Sequence, residues 1–135
     1  MGVGAISVAL LLRFRELPET IPLHFTLSNE PDMYGPSWSI FILIAAMCGI
    51  TALLAWASTN PELGNYPVKV TAENAQDLYE LGEKMMVRVG LSVMLIYLGF
   101  ASIYFNFPGL TVVAFGMIVL IVFMALGVKR MLDVA

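Results

Sequence analysis

The residues that could do chemistry in this chain are few, and most lie in two polar segments. His24 is the only histidine, and Glu19, Glu30 and Asp32 lie close to it in the chain. Histidine changes charge in the physiological pH range, so His24 could form a structural hydrogen bond, bind a partner, sense pH or ligate a metal. A second histidine is missing and the only cysteine, Cys48, lies in an apolar stretch, so no metal site is expected.

Catalysis would require a nucleophile beside a base, a metal cluster or a glycine-rich phosphate loop, and the sequence has none of these patterns. The acidic residues Glu73, Asp77 and Glu80 are spread along one helical stretch, which is typical of a solvated helix face. Active transport normally places ionisable groups inside a helix bundle, yet only Arg88 lies within an apolar stretch, near its end. We therefore expect neither an enzyme nor a cofactor.

Composition places the chain in a lipid bilayer. Hydrophobic residues make up 59% of its 135 residues and charged residues only 13%, which is about half the charged share of a soluble domain. The net charge of −3 provides no basic surface for nucleic acid, so that class of partner is excluded. The first expected partner is therefore the bilayer itself.

Three stretches are long and apolar enough to cross about 30 Å of hydrocarbon, namely residues 38–57, 85–105 and 110–128. Residues 1–14 form an equally apolar but shorter stretch. Residues 106–109, which contain proline and glycine, should form a tight reversal between the last two spans. The sequence predicts an all-α integral membrane protein, in which a single domain contains four transmembrane helices and the first is short.

The distribution of basic residues predicts the orientation, because Lys and Arg collect on the cytoplasmic side of membrane helices. Two basic residues flank the first polar segment, whereas five belong to the segment 58–84, the adjoining end of the next span and the C-terminus. We therefore expect an extracytoplasmic loop at 15–37, a cytoplasmic segment at 58–84 and a cytoplasmic C-terminus, in the cytoplasmic (inner) membrane. The two groups are Arg13 and Arg15 against Lys69, Lys84, Arg88, Lys129 and Arg130.

The outer loop should be a rigid cap over the bundle. Ile21, Leu23, Phe25 and Leu27 alternate along the chain, which predicts a short strand-like element followed by turns. Asp32 is expected to cap the turn that follows by bonding a nearby backbone amide. The residues that restrict this loop, and so give it rigidity, are Pro18, Pro22, Pro31 and Gly35.

The second polar segment should end in an amphipathic helix. Thr71 is a plausible N-cap, and the helix predicted for residues 72–84 should continue into the span that begins at residue 85. Leu78 and Leu81 recur at helical spacing and predict one apolar face. The positions that characterise this segment are Asn65, Tyr66, Pro67, Thr71, Asn74 and Tyr79.

Both segments resemble a bacterial and archaeal membrane family that includes the N-terminal domain, of undefined function, of an immunity protein against a sporulation-delaying toxin. The resemblance extends from Leu17 to about Phe105, and one departure is Ser28-Asn29, where family members often carry a glycine. It implies a helical bundle in the cytoplasmic membrane and, for the immunity branch, toxin resistance through capture of a partner. The matching residues are 17–18, 21–25 and 30–32, followed by 65–68, 71, 73–74 and 78–79.

Two functional hypotheses follow. In the first, the outer loop binds an extracellular peptide or protein through His24, Asp32 and Tyr34. In the second, the chain is a small accessory subunit that packs against larger membrane proteins. Small residues on the second span would let another helix approach closely and so favour this alternative. They are Ala45, Gly49 and Ala52.

Overall fold

The computed structural model describes residues 2–26, 28 and 30–134. Met1, Leu27, Asn29 and Ala135 lie outside the described residues. Leu27 is the last position of the predicted alternation, and Asn29 is the second residue of the Ser28-Asn29 departure from the family pattern. The elements in chain order are helix α1 (Gly2–Arg13), strands β1 (Thr20–Phe25) and β2 (Pro31–Pro36), and helices α2 (Ser39–Ser58), α3 (Ala75–Ile103) and α4 (Gly109–Leu132). Short 3-10 turns occupy Phe14–Glu16 and Pro61–Leu63.

Three helices are long and apolar enough to cross a membrane. Their most apolar windows have mean hydropathies of 2.4 in α2, 1.8 in α3 and 2.7 in α4, and fewer than a quarter of the residues in each window are buried within the chain. Exposed apolar helix faces of this kind require an apolar environment around the bundle. This confirms the predicted helical membrane protein and three of its four predicted spans as helices apolar enough to cross a membrane. Helix α1 has only 12 residues and is the fourth, short helix.

The tightest helix contact joins α3 to α4, which form an antiparallel hairpin as predicted. Gly99 faces Gly109 across this contact, and a Cβ at Gly99 would lie 2.8 Å from the Gly109 carbonyl oxygen and 2.6 Å from the Val113 nitrogen. The two backbones therefore approach more closely than any larger residue would allow. Asn106 makes the reversal with a φ of 60°, a left-handed conformation that asparagine tolerates better than most residues.

A hydrophobic cluster joins the first strand to the bundle. Ile21 of β1 is 1% exposed and is buried together with Leu10 of α1, Ile40 of α2, and Tyr97 and Ala101 of α3. One side chain from the outer loop therefore completes a core built by three helices. The β1–β2 hairpin is fixed to the bundle at this point.

The prediction of an all-α fold was wrong for the outer loop, which forms a two-stranded antiparallel sheet. The turns expected around Pro31 and Gly35 are instead strand β2, which pairs with β1 from Thr20↔Pro36 to Phe25↔Pro31. Proline favours an extended backbone and lacks the N–H that a strand donates to its neighbour. Both strands of an isolated hairpin have an outer edge that pairs with no other strand, so the prolines are tolerated there. The predicted alternation fails at Leu23, which is exposed, because the pairing register shifts between Pro22 and His24.

The prediction that α3 begins just after Thr71 was wrong by a few residues, because the regular helix begins at Ala75. Asn74 takes the N-cap position without a side-chain capping bond. The amphipathic part and the third span form one continuous helix of 29 residues, as predicted. Its apolar face buries Leu78 and Gly82 near the beginning and Tyr97 near the end.

The close approach of α3 and α4 predicts different results for two glycines of α3. Gly99→Ala should lower the free energy of unfolding by about 1–3 kcal/mol, because the added methyl group meets backbone atoms of α4. Gly90→Ala is the matched control, since a Cβ there meets nothing within 4 Å, and alanine favours a helix. Unfolding in mixed detergent micelles, followed by circular dichroism, measures both. Equal stability of the two variants would contradict this packing.

Candidate functional site

The three residues that the sequence proposes for binding all lie on the β1–β2 hairpin. His24 is in β1, Asp32 and Tyr34 are in β2, and all three side chains are exposed. His24 pairs with Met33 and Pro22 pairs with Tyr34 across the sheet. The hairpin therefore gathers residues that are ten positions apart in the chain.

His24 and Asp32 contact each other directly. The His24 Nδ1 and the Asp32 Oδ1 are 2.6 Å apart, and the two side chains are 63% and 45% exposed. The prediction that Asp32 caps a turn was wrong, because Asp32 belongs to strand β2 and its carboxylate bonds the His24 imidazole. The carboxylate fixes the ring orientation while both groups stay open to solvent, which suits recognition of a polar partner.

The hairpin is held at two points on its inner side. Ile21 is buried in the hydrophobic cluster, and the hydroxyl of Tyr104, which follows α3, donates a hydrogen bond of 3.3 Å to the Pro22 carbonyl oxygen. The Ser37 amide also donates to the Glu19 carbonyl oxygen, which closes the base of the hairpin. These contacts hold the hairpin in a fixed position on the bundle while its outer surface stays exposed.

The outer surface of the hairpin is also apolar in part. Tyr34 is 60% exposed, and Leu23, Met33 and the neighbouring Trp38 are exposed as well. Exposed aromatic and methionine side chains are typical of binding surfaces, since they contribute large contact areas. Of the predicted rigid positions, Pro22 lies in β1, Pro31 and Gly35 lie in β2, and Pro18 lies between the 3-10 turn and β1.

The second motif builds a compact structure at the opposite end of the bundle. The Tyr66 hydroxyl donates a hydrogen bond of 2.8 Å to the Pro61 carbonyl oxygen, and its ring lies 5.9 Å from that of Tyr79. Its ring also rests on Gly82 of α3, where a side chain would displace it. Burial, followed by the neighbouring Tyr79 and Glu62, raises the pKa of Tyr66 above its ordinary value. We call the contacts of Tyr66 with Pro61, Tyr79 and Gly82 the Tyr66 anchor. Asn65 and Pro67 flank Tyr66 in the chain.

Thr71 and Asn74 are joined by reciprocal bonds in the turn before α3. The Thr71 amide donates to the Asn74 side-chain oxygen at 2.8 Å, and the Asn74 amide donates to the Thr71 hydroxyl at 3.4 Å. The Asn74 side chain also donates to the Lys69 carbonyl oxygen. The motif residues therefore serve local folding, with the pairing pattern of a capping box placed one turn before the regular helix.

A polar contact inside the bundle was missed from the sequence. Ser7 of α1 donates to the Val3 carbonyl oxygen, so the Tyr97 hydroxyl of α3, 3.0 Å away, donates to Ser7. The Cys48 sulfur of α2 lies 3.8 Å from the Ser7 oxygen. Polar side chains often join membrane helices in this way. The sequence signal was a hydroxyl-bearing aromatic residue in the middle of an apolar span, which needs a buried partner.

The small residues proposed for helix packing face away from the rest of the chain. Ala45, Gly49 and Ala52 are exposed on α2, and a Cβ at Gly49 would meet nothing within 4 Å. They therefore take no part in packing among the described residues. Among the described residues, no group of three histidine, cysteine, aspartate or glutamate side chains could hold a metal ion.

A family model described as a domain of unknown function (DUF1648) matches residues 2–48. The matched part contains α1, the hairpin and the first half of α2, and it includes the first of the two segments on which the resemblance was based. The chain is thus similar, over about a third of its length, to a membrane-type family whose function is not defined. No curated protein and no solved structure matches the chain.

The Tyr66 anchor predicts a pH-dependent effect of one substitution. Tyr66→Phe should lower the free energy of unfolding by about 1 kcal/mol at neutral pH, because the bond to Pro61 is lost. Because the pKa of Tyr66 is raised in the folded state, this tyrosine contributes to the free energy of unfolding. The contribution is complete below the ordinary pKa of 10.0 and is lost as the pH rises through the folded-state pKa. The difference between wild type and variant should therefore shrink above about pH 10.

Tyr79→Phe is the matched control for this measurement, since it removes the hydroxyl of the neighbouring ring and leaves the Tyr66–Pro61 hydrogen bond in place. Detergent-induced unfolding at several pH values measures all three proteins. A Tyr66→Phe variant as stable as wild type at neutral pH, or a difference that grows in alkali, would contradict the assignment.

Proposed function

We propose that this chain is a non-catalytic membrane protein that binds a partner through the outer face of its hairpin. The contacts are His24, Asp32 and Tyr34, and the partner is an extracellular peptide or protein. The observation that carries the proposal is the direct His24–Asp32 contact on an exposed strand pair, 2.6 Å between the two atoms. Tyr34 adds an exposed aromatic ring to the same hairpin.

The fixed mounting of the hairpin supports this proposal. A surface that is already held in one conformation loses little conformational entropy on binding, which favours affinity. Ile21 and the Tyr104–Pro22 hydrogen bond provide that fixation. The resemblance to the immunity family, together with the match of residues 2–48 to a domain of unknown function, makes a peptide toxin the first partner to test.

Expression in a sensitive bacterial strain, followed by challenge with a panel of membrane-active peptides, tests the proposal. We expect wild-type protein to protect against at least one peptide. Asp32→Asn and Tyr34→Ala should each reduce binding of that peptide about tenfold or more, as expected for central contacts. Glu19→Gln changes an exposed carboxylate at the base of β1 and should leave protection intact, with immunoblots checking equal amounts. Unchanged killing by every peptide would count against the proposal.

We also propose that the hairpin lies outside the cytoplasmic membrane and that the C-terminus is cytoplasmic, because of the distribution of basic residues. Single cysteines at Ser28 and Leu63, both exposed, probe the two ends of the bundle in a Cys48→Ala background. An impermeant thiol reagent should label the Ser28 position and not the Leu63 position in intact cells. The reverse labelling pattern would invert the proposed orientation.

A second candidate function is that of an accessory subunit in a larger membrane complex. The exposure of Ala45, Gly49 and Ala52 on α2 favours it, because these residues leave room for a helix from another protein. Native-gel sizing after mild detergent extraction distinguishes the two functions. A strictly monomeric particle would argue against the subunit role, and Gly49→Leu should abolish any larger particle that is observed.

A further inference from the structure

An open cavity lies where α1 ends, between the first strand and the loop that joins α3 to α4. Its volume is about 320 Å³, within the range typical of small-ligand sites. Its wall combines Arg13, Glu16 and Asn106 with the apolar side chains of Leu17 and Ile103. We call it the Arg13 cavity. None of its residues belongs to the His24, Asp32 and Tyr34 surface.

Among the described residues, Arg13 is the only cation that lines this cavity, and most of its hydrogen-bonding capacity is uncommitted. One guanidinium nitrogen bonds the Glu16 carboxylate, and the group lies 5.8 Å from the centre of the Phe105 ring. The Nε is buried and has no hydrogen-bond partner within the described part of the chain. Buried donors without a partner are uncommon in folded proteins. A planar guanidinium with five N–H donors is suited to the oxygens of a phosphate group.

The other polar groups restrict the charge of a ligand. Glu16 is 63% exposed beside Arg13, so a simple anion would meet a carboxylate as well as a guanidinium. Arg15, the next basic residue, is exposed and does not line the cavity. One positive and one negative group side by side complement a ligand that itself carries one charge of each sign. Asn106 adds an amide from a residue in the left-handed conformation, which is often found at functional sites.

The position of the cavity indicates where such a ligand would come from. Arg13 is the last residue of α1 and Ile103 is the last residue of α3, so the cavity lies at the level where the apolar helices end. Phospholipid headgroups lie at this level of a bilayer. Leu17 and Ile103 give the wall an apolar part that can contact the glycerol region of a lipid.

We propose that the Arg13 cavity binds a phosphoethanolamine headgroup of a membrane phospholipid. The phosphate bonds the Arg13 guanidinium, and the ammonium group bonds the Glu16 carboxylate. This assignment goes beyond the proposed recognition of a peptide and does not depend on it, because the two sites share no residue. It also holds for either orientation of the chain, since both leaflets have headgroups at this level.

Native mass spectrometry of delipidated protein in detergent tests the assignment with three lipids of identical acyl chains. Phosphatidylethanolamine should bind at least about fivefold more tightly than phosphatidylcholine, whose quaternary ammonium has no N–H to donate to Glu16. It should also bind more tightly than phosphatidylglycerol, which lacks a cation. Equal binding of the three lipids would overturn the proposal. Tighter binding of free phosphoethanolamine than of the lipid would overturn the lipid source.

Variants of the two charged residues test the roles separately. Arg13→Gln should weaken phosphatidylethanolamine binding about tenfold or more, as expected for loss of charge-assisted bonds. Glu16→Gln should keep phosphatidylglycerol binding and lose the preference for phosphatidylethanolamine, so it tests the proposal even where Arg13→Gln folds poorly. Arg15→Gln is the matched control and should bind like wild type. An equal loss in Arg13→Gln and Arg15→Gln would show a general surface charge effect and would overturn the proposal.

Discussion

The structure depends on one contact, the burial of Ile21 among the ends of three helices. This side chain from the first strand is enclosed by Leu10, Ile40, Tyr97 and Ala101, which belong to α1, α2 and α3. The helices direct most of their apolar surface outward, so few residues are enclosed within the chain. In an apolar environment the hydrophobic effect does not bring helices together, and close packing has to do so. The Ile21 cluster is the point where four elements achieve it.

Two further contacts extend this arrangement along the bundle. The hydroxyls of Ser7 and Tyr97 join α1 to α3 next to the cluster, and the facing glycines Gly99 and Gly109 join α3 to α4. Helix α3 takes part in every one of these contacts. It therefore links the hairpin at one end of the molecule to the Tyr66 anchor at the other.

Length and hydropathy were enough to predict the helical membrane fold, because spanning a bilayer imposes about 20 apolar residues on each helix. The reversal at Asn106 followed equally from local chemistry, since proline and glycine end helices. The strand-like element at Ile21–Phe25 followed from the alternating apolar residues, but its partner β2 was missed, because the Pro and Gly residues at Pro31 and Gly35 are typical of turns. The register shifts on either side of His24 have no signal in the sequence, because they depend on how the two strands pair.

The residues proposed for the candidate site could be chosen from the sequence, whereas their geometry could not be predicted. His24, Asp32 and Tyr34 stood out as polar or aromatic residues in a rigid loop, but the loop was expected to contain turns, which would have separated His24 from Asp32. The Arg13 cavity had no sequence signal, because its residues come from the end of α1, the first strand and the α3–α4 loop. Spatial proximity of this sort follows only from the docking of the hairpin.

A distance measurement between the hairpin and the far end of the bundle tests this docking most directly. Spin labels at Met33 and Leu63, both exposed, in a Cys48→Ala background report the position of β2 relative to the helices by pulsed electron paramagnetic resonance. The wild type should give one narrow distance distribution, and Ile21→Ala should broaden it, whereas Leu23→Ala, at an exposed position, should not. A broad distribution in the wild type, or one that Ile21→Ala leaves unchanged, would contradict the claim that Ile21 fixes the hairpin.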